Sequence, residues 1–131
     1  MPTINNYLEN GEADNDLDNY AQAFEDLSKL FLSEGRQDST LLFARLAQYL
    51  SPQSASILGI LADALYSSGD YAAALPLYMK IEGDIETYSR ARLLAARCLR
   101  QMDQEEDAIA ILKKLEKETE SLDVTYELAD Y

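Results

Sequence analysis

The chain repeats itself at an interval of 34 residues. Shifted against itself by that interval, it brings Leu27, Leu61 and Ala95 into line, then Ser28, Ala62 and Ala96, then Phe31, Leu65 and Leu99. A second block agrees, with Thr40, Ala74 and Ala108, then Ala44, Tyr78 and Leu112, then Ala47, Ile81 and Leu115. From Tyr20 to about Lys117 the apolar residues recur at helical spacing and β-branched residues are few, so each unit supplies two helices with matched inner faces. Units of this size cannot bury an apolar face alone and stack on one another. The pattern predicts an all-α solenoid of about three tandem helix-turn-helix repeats, at 21–54, 55–88 and 89–122.

Turn chemistry falls where the repeats require it. Gly35 and Gly69 stand between the paired helices of the first two units, Asp103 takes that place in the third, and Ser51-Pro52 closes the first. The small residues Ala62, Ala74, Ala96 and Ala108 suit the close approach of paired helices. Pro76 lies inside a predicted helix, where its ring opposes the carbonyl of Ala72 and a slight kink is expected. Residues 123–131 begin a further unit in register, with Tyr126 and either Leu128 or Ala129 expected to point inward. A solenoid normally ends in a helix with a polar outer face. This end instead reads either as the cut edge of a longer repeat protein or as a native end that docks onto a neighbouring molecule, and association of copies through this helix is expected.

These residues resemble the tetratricopeptide repeat. The middle unit carries Leu58-x-x-Leu61-Ala62-x-x-Leu65, Gly69-Asp70-Tyr71, Ala74-x-x-x-Tyr78 and Ile81. The first carries Phe24-x-x-Leu27-Ser28-x-x-Phe31, Gly35, Ala44, Ala47 and Pro52, departing at Thr40. The third carries Arg92-x-x-Ala95-Ala96-x-x-Leu99, Ala108 and Leu112, and lacks the leading aromatic and the turn glycine. The resemblance implies a right-handed solenoid that binds a polypeptide in its concave groove and performs no chemistry. In style the Ala-rich units are similar to bacterial multi-repeat proteins. The family also includes small acidic secretion chaperones that cradle a client segment, which is the alternative reading.

In that family the second, fifth, ninth, twelfth and thirteenth positions of each unit face the groove. The resemblance therefore implies a partner-binding surface that includes Lys29, Asp63, Tyr66, Arg90, Leu93, Arg97 and Arg100. Arg90, Arg92, Arg97 and Arg100 fall in a stretch, Thr87 to Met102, without an acidic residue. Two readings of this cluster stand side by side: the arginines receive an acidic segment with apolar anchors, or they pair with Asp63, Glu127 and Asp130 of adjacent helices and neutralise the surface. The Lys and Asn with which some family members clamp a chaperone's terminal carboxylate are absent, since the corresponding pairs are Glu25 and Lys29, Gly59 and Asp63, and Leu93 and Arg97. Among the tyrosines, Tyr71 and Tyr78 match packing positions, whereas Tyr66 falls on the groove face.

Charge narrows the partners. With 24 acidic against 11 basic residues the net charge is −13, which repels a phosphate backbone, so nucleic acid is not an expected partner. No run approaches the roughly 18 apolar residues of a membrane span. The N-terminus lacks the features of a secretory signal. Cytoplasm is the default compartment, with the periplasm open if the chain is a fragment of an exported precursor. Cys98 is the lone cysteine and there is no histidine, so an intrachain disulfide, the common zinc sets and imidazole catalysis are excluded. No nucleophile, base and metal set gathers, so neither an enzyme nor a cofactor is expected. With Arg97 and Arg100 nearby, Cys98 is either a reactive thiol or, the better reading, a small packed side chain.

Residues 1–19 carry five acids and no base and read as a flexible acidic segment preceding a helical domain at 20–131. Within that segment Asp14, Asp16 and Asp18, with Glu25, have the ligand spacing of a calcium loop, but Asn19 occupies the glycine position. The competing and favoured reading is a helix cap, with solvated acids.

Overall fold

The computed structural model describes residues 12–131, with side chains from Asp16 onward. Among the described residues seven helices follow one another: α1 (Glu12–Ser33), α2 (Gln37–Leu50), α3 (Ala55–Ser67), α4 (Tyr71–Lys80), α5 (Ile85–Gln101), α6 (Glu105–Thr119) and α7 (Leu122–Ala129). No strand occurs among the described residues. α1 begins upstream of the boundary expected at Tyr20. Acidic residue types in its first turns suit the positive end of a helix dipole. Residues 1–11 of the expected flexible segment lie outside the described residues.

The same turn closes the first helix of every unit. Gly35, Gly69 and Asp103 adopt positive φ of 72°, 84° and 61°. Their amides donate to Leu32, Tyr66 and Arg100 carbonyls, and the next amides, of Arg36, Asp70 and Gln104, reach back to Phe31, Leu65 and Leu99 at 2.9 Å. This paired bond satisfies carbonyls that a helix end would otherwise leave open. Caps begin several of the helices. Ser54 accepts from the Ile57 amide, Asp70 from Ala73, Asp84 from Thr87 and Ser121 from Asp123. α4 runs continuously through Pro76.

Each helix packs on the next, and α3 also touches both α1 and α5. The odd-numbered helices therefore form an inner layer and the even-numbered ones an outer layer. Side chains at the facing positions are small: Ser28, Ala62 and Ala96 on the inner helices, and Thr40, Ala74 and Ala108 on the outer ones, are all inaccessible to solvent. The two polar members of this set are satisfied locally. The Ser28 hydroxyl donates to the Glu25 carbonyl at 2.7 Å and the Thr40 hydroxyl to the Arg36 carbonyl at 2.8 Å. Thr40 thus departs from the repeat pattern without leaving a buried polar atom open. The core is two adjoining clusters, one centred on Leu58, Leu61 and Tyr78, the other on Leu99, Leu112, Leu115 and Val124.

Two details differ from the register expected at the chain's ends. Leu27 is aligned with fully buried Leu61 and Ala95, yet it is 37% exposed: among the described residues no helix packs on that face of α1. At the other end Val124, Leu128 and Tyr131 pack inward while Tyr126 is 71% exposed and Ala129 is also exposed. The inward set matches Ala91, Ala95 and Cys98 at an interval of 33, so α7 slips by one residue from the expected register. Glu120, in the left-handed conformation between α6 and α7, sets this shorter connection.

Because the inner and outer helices meet at small side chains, Ala62→Leu is expected to force them apart and to lower stability by about 1–3 kcal/mol. A urea titration would show the loss as a lower midpoint; an unchanged midpoint would mean the contact has slack.

Candidate functional site

The inner layer carries the polar and charged side chains that the repeat register assigned to the groove. On α1, Lys29 donates to Glu25 Oε2 at 2.7 Å, and Gln22 donates to the carboxylates of Glu25 and Asp26. On α3, Asp63 has both oxygens engaged: Oδ1 accepts from the Tyr78 hydroxyl at 2.6 Å and Oδ2 from Arg90 Nη2 at 3.1 Å. Burial, and then the bond to Asp63, hold the Tyr78 phenol far above its ordinary pKa. Tyr66 is half-buried, edge-on to Tyr71 and Tyr78 at centroid distances of 5.2 and 6.5 Å, and burial raises its pKa. Of the two tyrosines read as packing residues, Tyr78 is fully buried and Tyr71 half-buried.

The four arginines do different things. Arg92, which replaces the expected aromatic, lies over the Tyr88 ring at 4.6 Å and donates to the Tyr78 carbonyl at 2.9 Å. That bond satisfies a carbonyl near the end of α4 and joins α4 to α5. Arg97 forms a two-point pair with Glu127 on α7, with Nε and Nη2 each 2.9 Å from a carboxylate oxygen. Arg100 donates to the Asp130 carbonyl at 3.3 Å and lies over the Tyr131 ring at 4.6 Å. Arg90 gives only one nitrogen to Asp63 and is largely exposed, so its remaining donors face solvent. Asp63, Glu127 and Asp130 are thus the partners, although Asp130 serves through its backbone.

The geometry at Arg90 is concave. One depression of about 400 Å³ is lined by Ser56, Gly59, Asp63, Arg90 and Ala91 among others. Another of about 480 Å³ is lined by Arg90, Leu93, Ser89 and Asp123 among others, so Arg90 stands between the two. Gly59 is mid-helix, and a Cβ built there meets nothing within 4 Å. Glycine at such a position costs about 0.5–1 kcal/mol relative to alanine, and neither packing nor backbone strain calls for it here. Of the groove residues, Asp63, Arg90 and Leu93 line the two depressions, Arg97 and Arg100 are engaged by the last helix and the residues after it, and Lys29 and Tyr66 line neither depression.

Two other sequence features resolve differently. Asp16 and Asp18 are exposed on the continuous helix α1, where residues two apart diverge, so Asp16, Asp18 and Glu25 do not fold into a calcium loop. The side chain of Asp14 lies outside the described residues, and no group of three metal-ligating side chains occurs among those described. Cys98 is fully buried, and burial pushes its thiol up to about 11, which suppresses the thiolate that a reactive cysteine needs. No described helix is long and apolar enough to cross a membrane.

A solenoid of helix pairs, closed by identical turns and presenting a concave inner layer, is a tetratricopeptide-type repeat protein. Residues 33–115, more than half of the chain, match the family described as anaphase-promoting complex, cyclosome, subunit 3, and the chain belongs to that family. Among solved structures, the N-terminal domain of stress-induced protein-1 (STI-1) from C. elegans superposes with a TM-score of 0.80 at 12% identity, covering 87% of this chain and 95% of that one. At that identity the likeness is one of fold. Among curated proteins, none matches the chain in sequence.

The two-point pair predicts a pH response local to α7. Hydrogen bonding to Arg97, opposed in part by burial, holds the Glu127 carboxyl below its ordinary value of 4.5. A depressed carboxylate contributes its stability above the unfolded-state pKa and loses it as pH falls through the folded-state value. Amide exchange over 124–131 is therefore expected to accelerate, relative to the rest of the chain, as pH falls below 4.5. Glu127→Gln should produce the same loosening at neutral pH. Because Arg97 is partly exposed, the effect is small, at most about 1 kcal/mol.

Proposed function

We propose that the chain is a protein-interaction module that holds an extended polypeptide segment across the centre of its concave face, without catalysing a reaction. The observation that carries this reading is the pair of depressions meeting at Arg90, with Gly59 leaving the helix surface bare between Ser56 and Asp63. A bare helix surface lets a bound backbone approach closely, and the free donors of Arg90 suit a carboxylate or a backbone carbonyl. Leu93 supplies apolar contact in the second depression, Tyr66 lies about one turn beyond Asp63 on α3, and Lys29 belongs to the first unit. Arg97 and Arg100 contribute by fixing α7 at the edge of the groove; a bound segment reaches them directly only by displacing Glu127 and Asp130.

The segment that complements this surface is acidic, with one or two apolar anchors. Exposed ion pairs contribute about 0.2–1 kcal/mol each, so the anchors supply much of the affinity. Binding is expected to be modest and to weaken with salt. Fluorescence anisotropy with labelled peptides that alternate Asp or Glu with Leu or Phe measures this directly. Gly59→Leu fills the depression and should abolish binding, whereas Gly59→Ala should raise stability by about 0.5–1 kcal/mol. Arg90→Glu should weaken binding and flatten its salt dependence. Unchanged affinity in both Gly59→Leu and Arg90→Glu would place recognition elsewhere on the solenoid.

A further inference from the structure

The first helix pair carries an apolar surface that the other two pairs do not. Tyr20, Leu27 and Leu30 form a stripe along α1 at spacings of seven and three, and Leu30 is 52% exposed. Leu42, Leu46 and Tyr49 form another along α2 at spacings of four and three, and Tyr49 is 87% exposed. Between them Phe43 stacks on Phe24 and Phe31, at centroid distances of 6.2 and 5.4 Å, and all three rings are only half-buried. Leu27 lies on the same side of α1 as Phe24 and Phe31, and Leu46 follows Phe43 by three residues on α2. The ladder of rings therefore joins the two stripes into one surface.

Comparison between the units separates two causes of this exposure. The equivalents of Leu27 and Leu30 are Leu61 and Ala64 in the second unit and Ala95 and Cys98 in the third, all fully buried against the preceding helix pair. α1 thus presents the chemistry of a stacking face. The equivalents of Leu42, Leu46 and Tyr49 are Pro76, Lys80 and Gly83, then Ala110, Lys114 and Lys117, and all six are exposed. Solenoid packing covers these positions in no unit, yet only the first unit fills them with large apolar side chains.

We propose that this surface docks an amphipathic helix from a partner protein, apolar along one side and bearing lysine or arginine along its flanks. The apolar side follows from the ladder and stripes. The basic flanks follow from charge: Asp16 and Glu34 lie in line with the α1 stripe at its two ends, Asp26 flanks it, and Asp38 precedes Leu42 by one helical turn. Three cations share this unit: Lys29 is neutralised by Glu25 at 2.7 Å, Arg36 lies over the Phe31 ring at 4.9 Å and Arg45 donates to Gln48, which leaves the four carboxylates in excess. A second copy of the chain fits less well, since each copy brings a net charge of −13.

The test uses the full chain and three synthetic 18-residue helical peptides: leucines on one face with lysine flanks, the same leucines with glutamate flanks, and a scrambled lysine peptide. The lysine-flanked helix is expected to bind at least tenfold more tightly than either control, by anisotropy. Replacing Leu30, Leu46 and Tyr49 together by Ser should lower that affinity at least tenfold without changing helicity, because all three are exposed, while Arg90→Glu should leave it unchanged. Equal binding by the parent and the triple variant, or by the lysine and glutamate helices, overturns the proposal. So does a concentration-dependent dimer in sedimentation that the triple variant abolishes, which assigns the face to a second copy. Binding that requires removal of residues 1–11 assigns the face to the chain's own beginning and likewise overturns it.

Discussion

Paired helices that meet at side chains no larger than threonine are the contact on which the rest of the structure depends. Ser28, Ala62 and Ala96 face one side of that contact, Thr40, Ala74 and Ala108 the other, and none is accessible to solvent. Close approach at these points lets larger residues further along, Tyr78 and Leu112 among them, reach across the pair and fill the core. It also brings α3, α4 and α5 near enough for a closed set of polar bonds. Tyr78 and Arg90 meet at Asp63, and Arg92 returns to the Tyr78 carbonyl. One tyrosine therefore couples the packing of the middle unit to the floor of the groove.

Electrostatics explains why the groove arginines are unequal. In a chain this acidic a cation beside a neighbouring helix readily finds an anionic or carbonyl partner, and the exposed pairs that result add little stability. Their main consequence is positional. Arg97 and Arg100 hold the last helix against the third unit through Glu127, Asp130 and Tyr131, which closes that edge of the groove. Arg90, joined to Asp63 through a single nitrogen, keeps the donors that a partner could use. Gly59 leaves room beside it, so the most accessible of the groove arginines and the barest helix surface coincide.

The two recognition surfaces inferred for this chain differ in kind. The concave face offers a bare backbone, one available guanidinium and flanking apolar contacts, which fits an extended segment. The first helix pair offers a broad apolar surface of rings and leucines, which fits another helix in the way that one repeat fits the next. They share no side chain.

The repeat interval, the helix pairs, the turns at Gly35, Gly69 and Asp103 and the buried small positions were all legible in the sequence. Each depends on residues close in the chain, or on a register that recurs regardless of surroundings. The groove positions were legible only as a set. The sequence placed Arg90, Arg97 and Arg100 on one face, but which of them is occupied depends on distances to Asp63, Glu127 and Asp130, which lie 27 to 30 residues away. The ends were decided by tertiary structure alone. Leu27 reads as a core residue by every local criterion and is exposed, since none of the described helices packs on it, while Tyr126 turns outward because a one-residue slip offers Val124, Leu128 and Tyr131 to the third unit instead. Local sequence determines which face of a helix is apolar; only the neighbouring helices determine whether that face is covered.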